Sequence, residues 1–254
     1  MSALEPSFVE HLKHQFATAP PAKRGLRTRQ RLVIAAAQVL EQKGYHALRV
    51  TDVSDAAGVA EASFYVYFRD KKDITIQVLT LLLDEYFGVE SQDAEHASVF
   101  GKIQLANRGW IAMCRANAGL MRCILQVGDD IPEFYRLAQR ANRTWYERVA
   151  QSVSRHRPEQ GINPAALHLA YMLGAMADEI VRKLIIYPDP DYLALLEQTG
   201  MNDEAVADAM SLVWMHVLYP GVPIGEASLH DAAVELAHTA LPRLLLTREA
   251  AAGG

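Results

Sequence analysis

Apolar side chains recur along most of the chain at the three- and four-residue spacing of helices buried on one side, and no stretch shows a convincing two-residue alternation. Between about Arg27 and Lys43, Leu32, Ala35, Ala36, Val39 and Leu40 form one such stripe. Gly44 follows, a residue tolerant of the left-handed backbone that ends helices. A short helix from about Val50 to Ala57 would bury Val50, Val53 and Ala57, Gly58 would turn the chain, and a second short helix is expected from about Ala60 to Phe68. Two short helices across a glycine turn make a helix-turn-helix pattern. A longer apolar helix begins near Lys71-Lys72-Asp73 and carries Ile74, Val78, Leu81, Leu82 and Leu83 towards Phe87.

Beyond residue 90 the pattern predicts helices at about 97–117, 119–127, 132–156, 164–187, 203–218 and 227–246. Breaks are expected at Asn117, Gly128-Asp129-Asp130, Pro158 to Pro164, Pro188-Asp189-Pro190 and Pro220-Gly221-Val222-Pro223. Pro132 and Pro164 sit just inside helix starts, where a missing N–H costs little. Residues 1–22, polar and mixed and closing on Ala19-Pro20-Pro21, read as a flexible arm. The expected fold is all-α: a helix-turn-helix domain over 23–88, then a larger helical domain over 89–254.

Composition narrows the class. Half of the 254 residues are apolar and 22% are charged, a globular mix able to bury a full core. Cys114 and Cys123 are too few for a disulfide framework and lack zinc-knuckle spacing, so both are expected as small core hydrophobes in a reduced cytoplasm. No apolar run has membrane-spanning length, and the N-terminus lacks a secretory pattern. The net charge of −5 hides an asymmetry. Residues 23–72 hold ten basic side chains against five acidic ones, and the rest holds 15 basic against 25 acidic. A basic module joined to an acidic body points to a polyanion partner for the module alone.

The second short helix opens with Ala60, Glu61, Ala62 and Ser63, all short or polar, as a helix meeting base edges in a major groove requires. Phe64 and Phe68, four apart, would face inward, leaving Tyr65 and Tyr67 towards the groove wall. Lys71 opens the next helix, where an ammonium and helix N-terminal amides attract a phosphate. Arg24 and Arg27 can reach backbone or minor groove. The segment Gly44-Tyr45 to Lys71-Lys72-Asp73-Ile74, with its Ala56-Ala57-Gly58-Val59 turn and Phe64-Tyr65-Val66-Tyr67-Phe68 run, resembles the DNA-binding domain of TetR-family regulators. The likeness covers about 27–87; later helices match that family only in number and length. Two positions depart from it. Arg49 stands where the family usually has Thr or Ser as cap and phosphate donor, with Thr51 able to take part of that role. Glu61 replaces a basic or neutral residue, and is either a cytosine-reading specificity residue or a solvent-facing bystander.

The acidic body is expected to sense a small molecule and to dimerise. Trp110, Met113, Met121, Trp145, Tyr146, Tyr171, Met172 and Met176 could line an apolar pocket between about 97–125 and 132–187, with Asn142, His168 or Tyr171 fixing ligand orientation; at helical spacing the same residues also fit an ordinary core. Val206, Met210, Val213, Trp214 and Val217, then Leu229, Ala233, Leu236 and Ala240, form two stripes suited to a four-helix dimer interface. No cofactor or metal is expected. His11-x-x-His14 lacks a third ligand, and Glu235-Leu-Ala-His238 lacks the partner carboxylates of a di-iron bundle. The resemblance implies a cytoplasmic homodimer that binds a palindromic DNA operator, most members repressing and releasing DNA on binding a small ligand. A regulator without an effector, or an activator, remains open. A helical enzyme would need a convergent acid–base or metal set, which the sequence lacks.

Overall fold

A computed structural model describes residues 7–86, 97–127, 131–153, 162–241, 244 and 246–247. The described residues are helical apart from turns and one pair of two-residue strands. The expected flexible arm is instead helical over much of its length: α1 spans Phe8–Thr18, capped by Ser7 Oγ and burying Phe8, Val9 and Leu12. Those apolar positions share one helix face, so packing overrides the polar composition. The Pro20-Pro21 pair does separate α1 from the next helix.

The other helices of the N-terminal half are α2 Arg24–Ala47, α3 Val50–Ala57, α4 Glu61–Phe64 and α5 Lys71–Thr80. α5 continues through wider turns over Leu81–Tyr86. Within α2, Gly44 leaves helical geometry at φ 72° and ψ 174°. Gly58, at φ 61° and ψ 45°, takes the left-handed conformation between α3 and α4. α4 is shorter than the expected Ala60–Phe68 helix: Tyr67 N and Phe68 N both donate to Phe64 O, at 2.9 and 3.0 Å, closing a tight turn.

Further on come α6 Val99–Ala116, α7 Ala118–Val127, α8 Pro132–Val153, α9 Pro164–Val181 with wider turns over Arg182–Ile186, α10 Pro190–Gln198, α11 Asp203–Leu218 and α12 Asp231–Ala240. α10 was not expected, although Asp189 as cap and Pro190 in the first turn are ordinary helix-start signals. The helix expected to run to 246 ends at Ala240, as Pro242 requires. Leu246–Thr247 (β2) then pairs in parallel with Ile224–Gly225 (β1), a small strand contact that the helical pattern did not predict.

The chain forms two compact units. The first is Met1–Val89 with Met113–Ala141, so that α7 and the first part of α8 belong with the helix-turn-helix rather than with the C-terminal body. The expected boundary at 88/89 lies outside the described residues. α2 is the hub of this unit, with α1, α3, α5 and α7 packed on it. At the α2–α7 crossing a Cβ on Gly119 would lie 2.6–2.7 Å from the Glu41 carbonyl carbon and Cα, and closer still to its oxygen. Glu41 also caps α7, its two carboxylate oxygens accepting from Gly119 N and Leu120 N at 2.9 Å each.

The second unit is Glu90–Ala112 with Asn142–Gly254. A buried polar knot stitches it: Asp208 accepts from Arg108 Nε and Nη2 at 2.7 Å, Gln104 Nε2 at 2.9 Å and His230 N at 2.8 Å. The stripes expected to face a partner are largely internal. Val206, Met210, Trp214, Leu229 and Ala233 are buried in the chain's own core. Val213 and Leu236 are half-buried, and Val217 and Ala240 are exposed. α11 is packed against both α9 and α12, so most of its apolar spacing reports contacts within its own chain.

Candidate nucleic-acid interface

The helix-turn-helix is held by backbone and cation contacts. Gly58 N donates to Asp55 O and Val59 N to Ser54 O, both at 3.0 Å, closing the turn after α3. Arg31 Nη2 donates to Ala57 O and Gly58 O, placing a guanidinium on the negative end of α3. A Cβ on Gly58 would meet that guanidinium at 2.9 Å. Phe64 and Phe68 are buried, with ring centroids 5.7 Å apart, and anchor α4 from beneath. The opposite face stands open: Ala60, Glu61 and Ala62 are exposed and Ser63 is half-buried. Tyr65 is 55% exposed and Val66, between the two tyrosines, is 75% exposed. Val66 was passed over in the sequence, where an apolar residue in an aromatic run reads as core. Tyr67 is half-buried, its hydroxyl near Gly25 at the start of α2.

At the start of α3, Arg49 and Thr51 are both exposed. Arg49 provides no side-chain cap; instead Asp52 accepts from Arg49 N at 3.2 Å. Lys43 bonds Asp52 at 2.9 Å, and this contact first, then the Arg49 N–H, holds the Asp52 carboxyl below the usual carboxylate range. Arg27 is exposed and donates to Pro21 O and Ala22 O, pinning the link between α1 and α2.

The basic window does not act as one uniform field. Lys43, Arg69 and Lys72 pair with Asp52, Asp73 and Glu133. Arg29 bonds Gln77 at 2.7 Å and lies over the Phe68 ring. Lys71, expected at a phosphate, contacts the link between α2 and α3. Its ammonium donates to Tyr45 O, His46 O and Leu48 O at 3.3 Å each, and lies 4.8 Å from the Tyr45 ring centroid. Among the described residues, Lys23, Arg24, Arg27, Arg31 and Arg49 are the cations of the window with neither a carboxylate partner nor a burying ring. Lys23, Arg24 and Arg27 lie at the start of α2 and Arg49 at the start of α3, while Arg31 reaches the end of α3. Arg24, Arg27 and Arg31 line a groove of about 550 Å³ together with Thr28, Ser63 and Phe16.

The expected ligand-binding residues divide between the units. Met113, half-buried, and Met121, buried, lie in the first; Trp110, Asn142, Trp145, Tyr146, His168, Tyr171, Met172 and Met176 lie in the second. In the second unit Trp145 packs edge-on against Trp214, centroids 5.1 Å apart, in a cluster with Leu173, Met176, Leu218 and Tyr219. Tyr146 is buried against Gly174, and its ring centroid is 4.4 Å from that of Tyr171. Burial, with the Asp178 charge and Tyr171 behind it, pushes the Tyr146 phenol up to about 12. His168, Tyr171 and Met172 are instead on an exposed face of α9. Trp214, assigned from sequence to a dimer stripe, has a buried indole N–H without a partner among the described residues. Also among the described residues, no three His, Cys, Asp or Glu side chains converge as a metal site would require, and no helix is long and apolar enough to cross a membrane.

The model of the family described as bacterial regulatory proteins, tetR family, matches residues 32–78, from the first core residue of α2 into α5. The HTH-type transcriptional regulator EthR of Mycolicibacterium smegmatis is 26% identical over 212 residues, covering 78% of this chain and 90% of that protein. Among solved structures, a TetR-family transcriptional regulator from Mesorhizobium loti superposes with a TM-score of 0.57 at 19% identity, over 77% of this chain and 98% of that one. The fatty acid degradation regulator FadR from Bacillus halodurans gives 0.56 at 17% identity, over 76% and 96%. At such identities the two structures speak for the fold.

Proposed function

We propose that the chain, whose residues 32–78 match the tetR family model, is a DNA-binding transcriptional regulator of that family, acting as a homodimeric repressor in the cytoplasm that binds a palindromic operator and releases it on binding a small apolar ligand. The observation that supports the DNA-binding face is the open surface of Ala60, Glu61, Ala62 and Ser63, with Arg24, Arg27 and Arg31 lining one groove together with Ala60 and Ser63. The small side chains admit base edges. Arg24, Arg27 and Arg49, with Thr51, Tyr65 and Tyr67, are suited to sugar and phosphate. Glu61, exposed and without a cation partner among the described residues, is suited to accept from a cytosine amino group.

A dimer is supported by the exposed apolar face of α9, Tyr171 and Met172, and by Val217 on the neighbouring α11. These accessible residues replace the buried ones of α11 and α12 as the partner-facing set. A ligand is supported by the Trp145–Trp214 cluster and the unpartnered Trp214 N–H, a donor that an oxygen-bearing apolar molecule would satisfy.

The test is a gel shift on the DNA upstream of the protein's own coding region. Retarded DNA that resists unrelated competitor supports the reading. Equal competition by any DNA of that length counts against it. The reading also expects the mass of a dimer in solution at micromolar concentration, and a monomer with intact DNA binding would overturn that part.

A further inference from the structure

We infer that Val66 is a specificity residue for the operator: its methyl groups meet the C5-methyl of a thymine in each half-site. This rests on the operator-binding reading and names one base feature that the chain would read.

With 75% of its surface exposed, Val66 is the most exposed large apolar side chain among the described residues. A solitary exposed valine is ordinary on a protein surface, but this one is held there by its surroundings. Phe64 and Phe68, two residues before and two after it, are both buried, with ring centroids 5.7 Å apart. Tyr67 N and Phe68 N both donate to Phe64 O, and Tyr65 keeps right-handed helical geometry at φ −68° and ψ −11°. The Tyr65 ring packs edge-on against Phe64 at 5.4 Å, and the Arg29 guanidinium lies 5.2 Å from the Phe68 ring centroid. The turn is therefore fastened from beneath at both ends, and Val66 stands at its crown.

Those hydrogen bonds keep the chain close to helical from Glu61 to Phe68. Val66 follows Ala62 by four residues and Ser63 by three, the spacing of one helix face. Ala62 is exposed and Ser63 half-buried, so Val66 prolongs the open surface suited to base edges. It also changes the chemistry of that surface. Ala62 and Val66 give it a side-chain strip with no donor or acceptor. In the major groove the base edges present nitrogen and oxygen atoms and one apolar group, the thymine C5-methyl. An apolar side chain gains nothing from a phosphate or from a hydrogen-bonding edge, whereas two methyl surfaces that leave water together are favoured. Branching at Cβ confines Val66 to few rotamers, so little freedom is lost on contact.

Selection from a random duplex pool supplies the operator, and fluorescence anisotropy of the full chain reads affinity. Each thymine of a half-site, with its symmetry mate, is replaced in turn by deoxyuridine, which deletes only the methyl. Burying one methyl is worth about fourfold, so a contact made in both half-sites predicts roughly a 15-fold loss at one thymine position. Val66→Ala should bind the thymine operator about tenfold more weakly and lose the response at that position alone, by the same reasoning. Val66→Thr, which keeps one methyl, should retain part of the response. Both variants should keep the wild-type melting temperature and bind unrelated duplex as the wild type does, because the side chain supports no core. An operator in which no thymine responds overturns the assignment, as does a Val66→Ala protein whose deoxyuridine profile matches the wild type. Equal loss on operator and unrelated DNA would place Val66 on the sugar–phosphate backbone and overturn it as well. A wild-type chain that enriches no sequence fails the operator reading itself, and the assignment with it, before any variant is made.

Discussion

Glu41→Ala should loosen the seat of α7 on α2. The carboxylate accepts from two consecutive N–H groups, Gly119 and Leu120, at 2.9 Å each in a partly buried site. Both belong to the first turn of α7, where donors have no partner inside the helix and the dipole is positive. Each orphaned donor costs about 1–3 kcal/mol when shielded from water, and loss of the charge near the helix end about 0.3–1 kcal/mol more. Water can reach part of the site, so the lower end of that range applies to each donor, giving about 2–3 kcal/mol in all. At roughly 2–4 °C per kcal/mol for a chain of this size, the melting temperature should fall by about 4–12 °C. Glu41→Gln, which keeps an acceptor oxygen but loses the charge, should fall between. Gly119→Ala should be at least as costly, because its methyl overlaps the Glu41 backbone and the two helices must part. Thermal unfolding followed by circular dichroism at fixed protein concentration reads all three. If Glu41→Ala and Gly119→Ala each melt within about 1 °C of wild type, well inside the expected fall, the crossing does not hold α7 as described.

Gly58→Ala combines a left-handed backbone with a methyl 2.9 Å from Arg31, so it should cost about 1–2 kcal/mol and weaken operator binding; unchanged gel shifts and melting would refute the strain. Acid should loosen the helix-turn-helix. Asp52 and Asp73 have carboxyl groups depressed by Lys43 and by Arg69, so their contribution is present above the unfolded carboxylate value of about 3.9 and fades as pH falls through the lower folded values. Asp52→Asn with Asp73→Asn should flatten the acid limb of a stability–pH curve, and an unchanged limb would exclude the pairs as its source. Burial pushes the Cys123 thiol up to about 11, so native protein at neutral pH should alkylate there slowly and unfolded protein fast. Equal rates by mass spectrometry would place that thiol at the surface.

What was legible in the sequence was local. The apolar stripe of α2, the glycines at 44 and 58 and the paired phenylalanines of α4 each encode their own geometry, and each was readable at a spacing of a few residues. The open α4 face came from the same pattern. The missed features depend on distant partners. α1 has a weak stripe that matters because α2 offers a surface to it. Trp214 lies at helical spacing in either a core or an interface, and only the packing of α9 and α12 on α11 distinguishes the two. Lys71 at a helix start reads as a phosphate site by charge, while its contacts with three carbonyls from 23 to 26 residues earlier have no local signal. α10 has its start signal in Asp189-Pro190, but the same two prolines also mark a break between helices.

The claim that α4 reads DNA bases is tested most directly by selecting binding sequences for the full chain from a random duplex pool at about 150 mM salt, close to physiological ionic strength. Base reading by a dimer predicts enrichment of an inverted repeat, with half-site centres about one helical turn, or a multiple, apart. It also predicts that Glu61→Ala with Ser63→Ala shifts the enriched bases while the half-site spacing stays fixed. A pool that enriches no motif, or a motif that is unchanged by the double substitution, would contradict it.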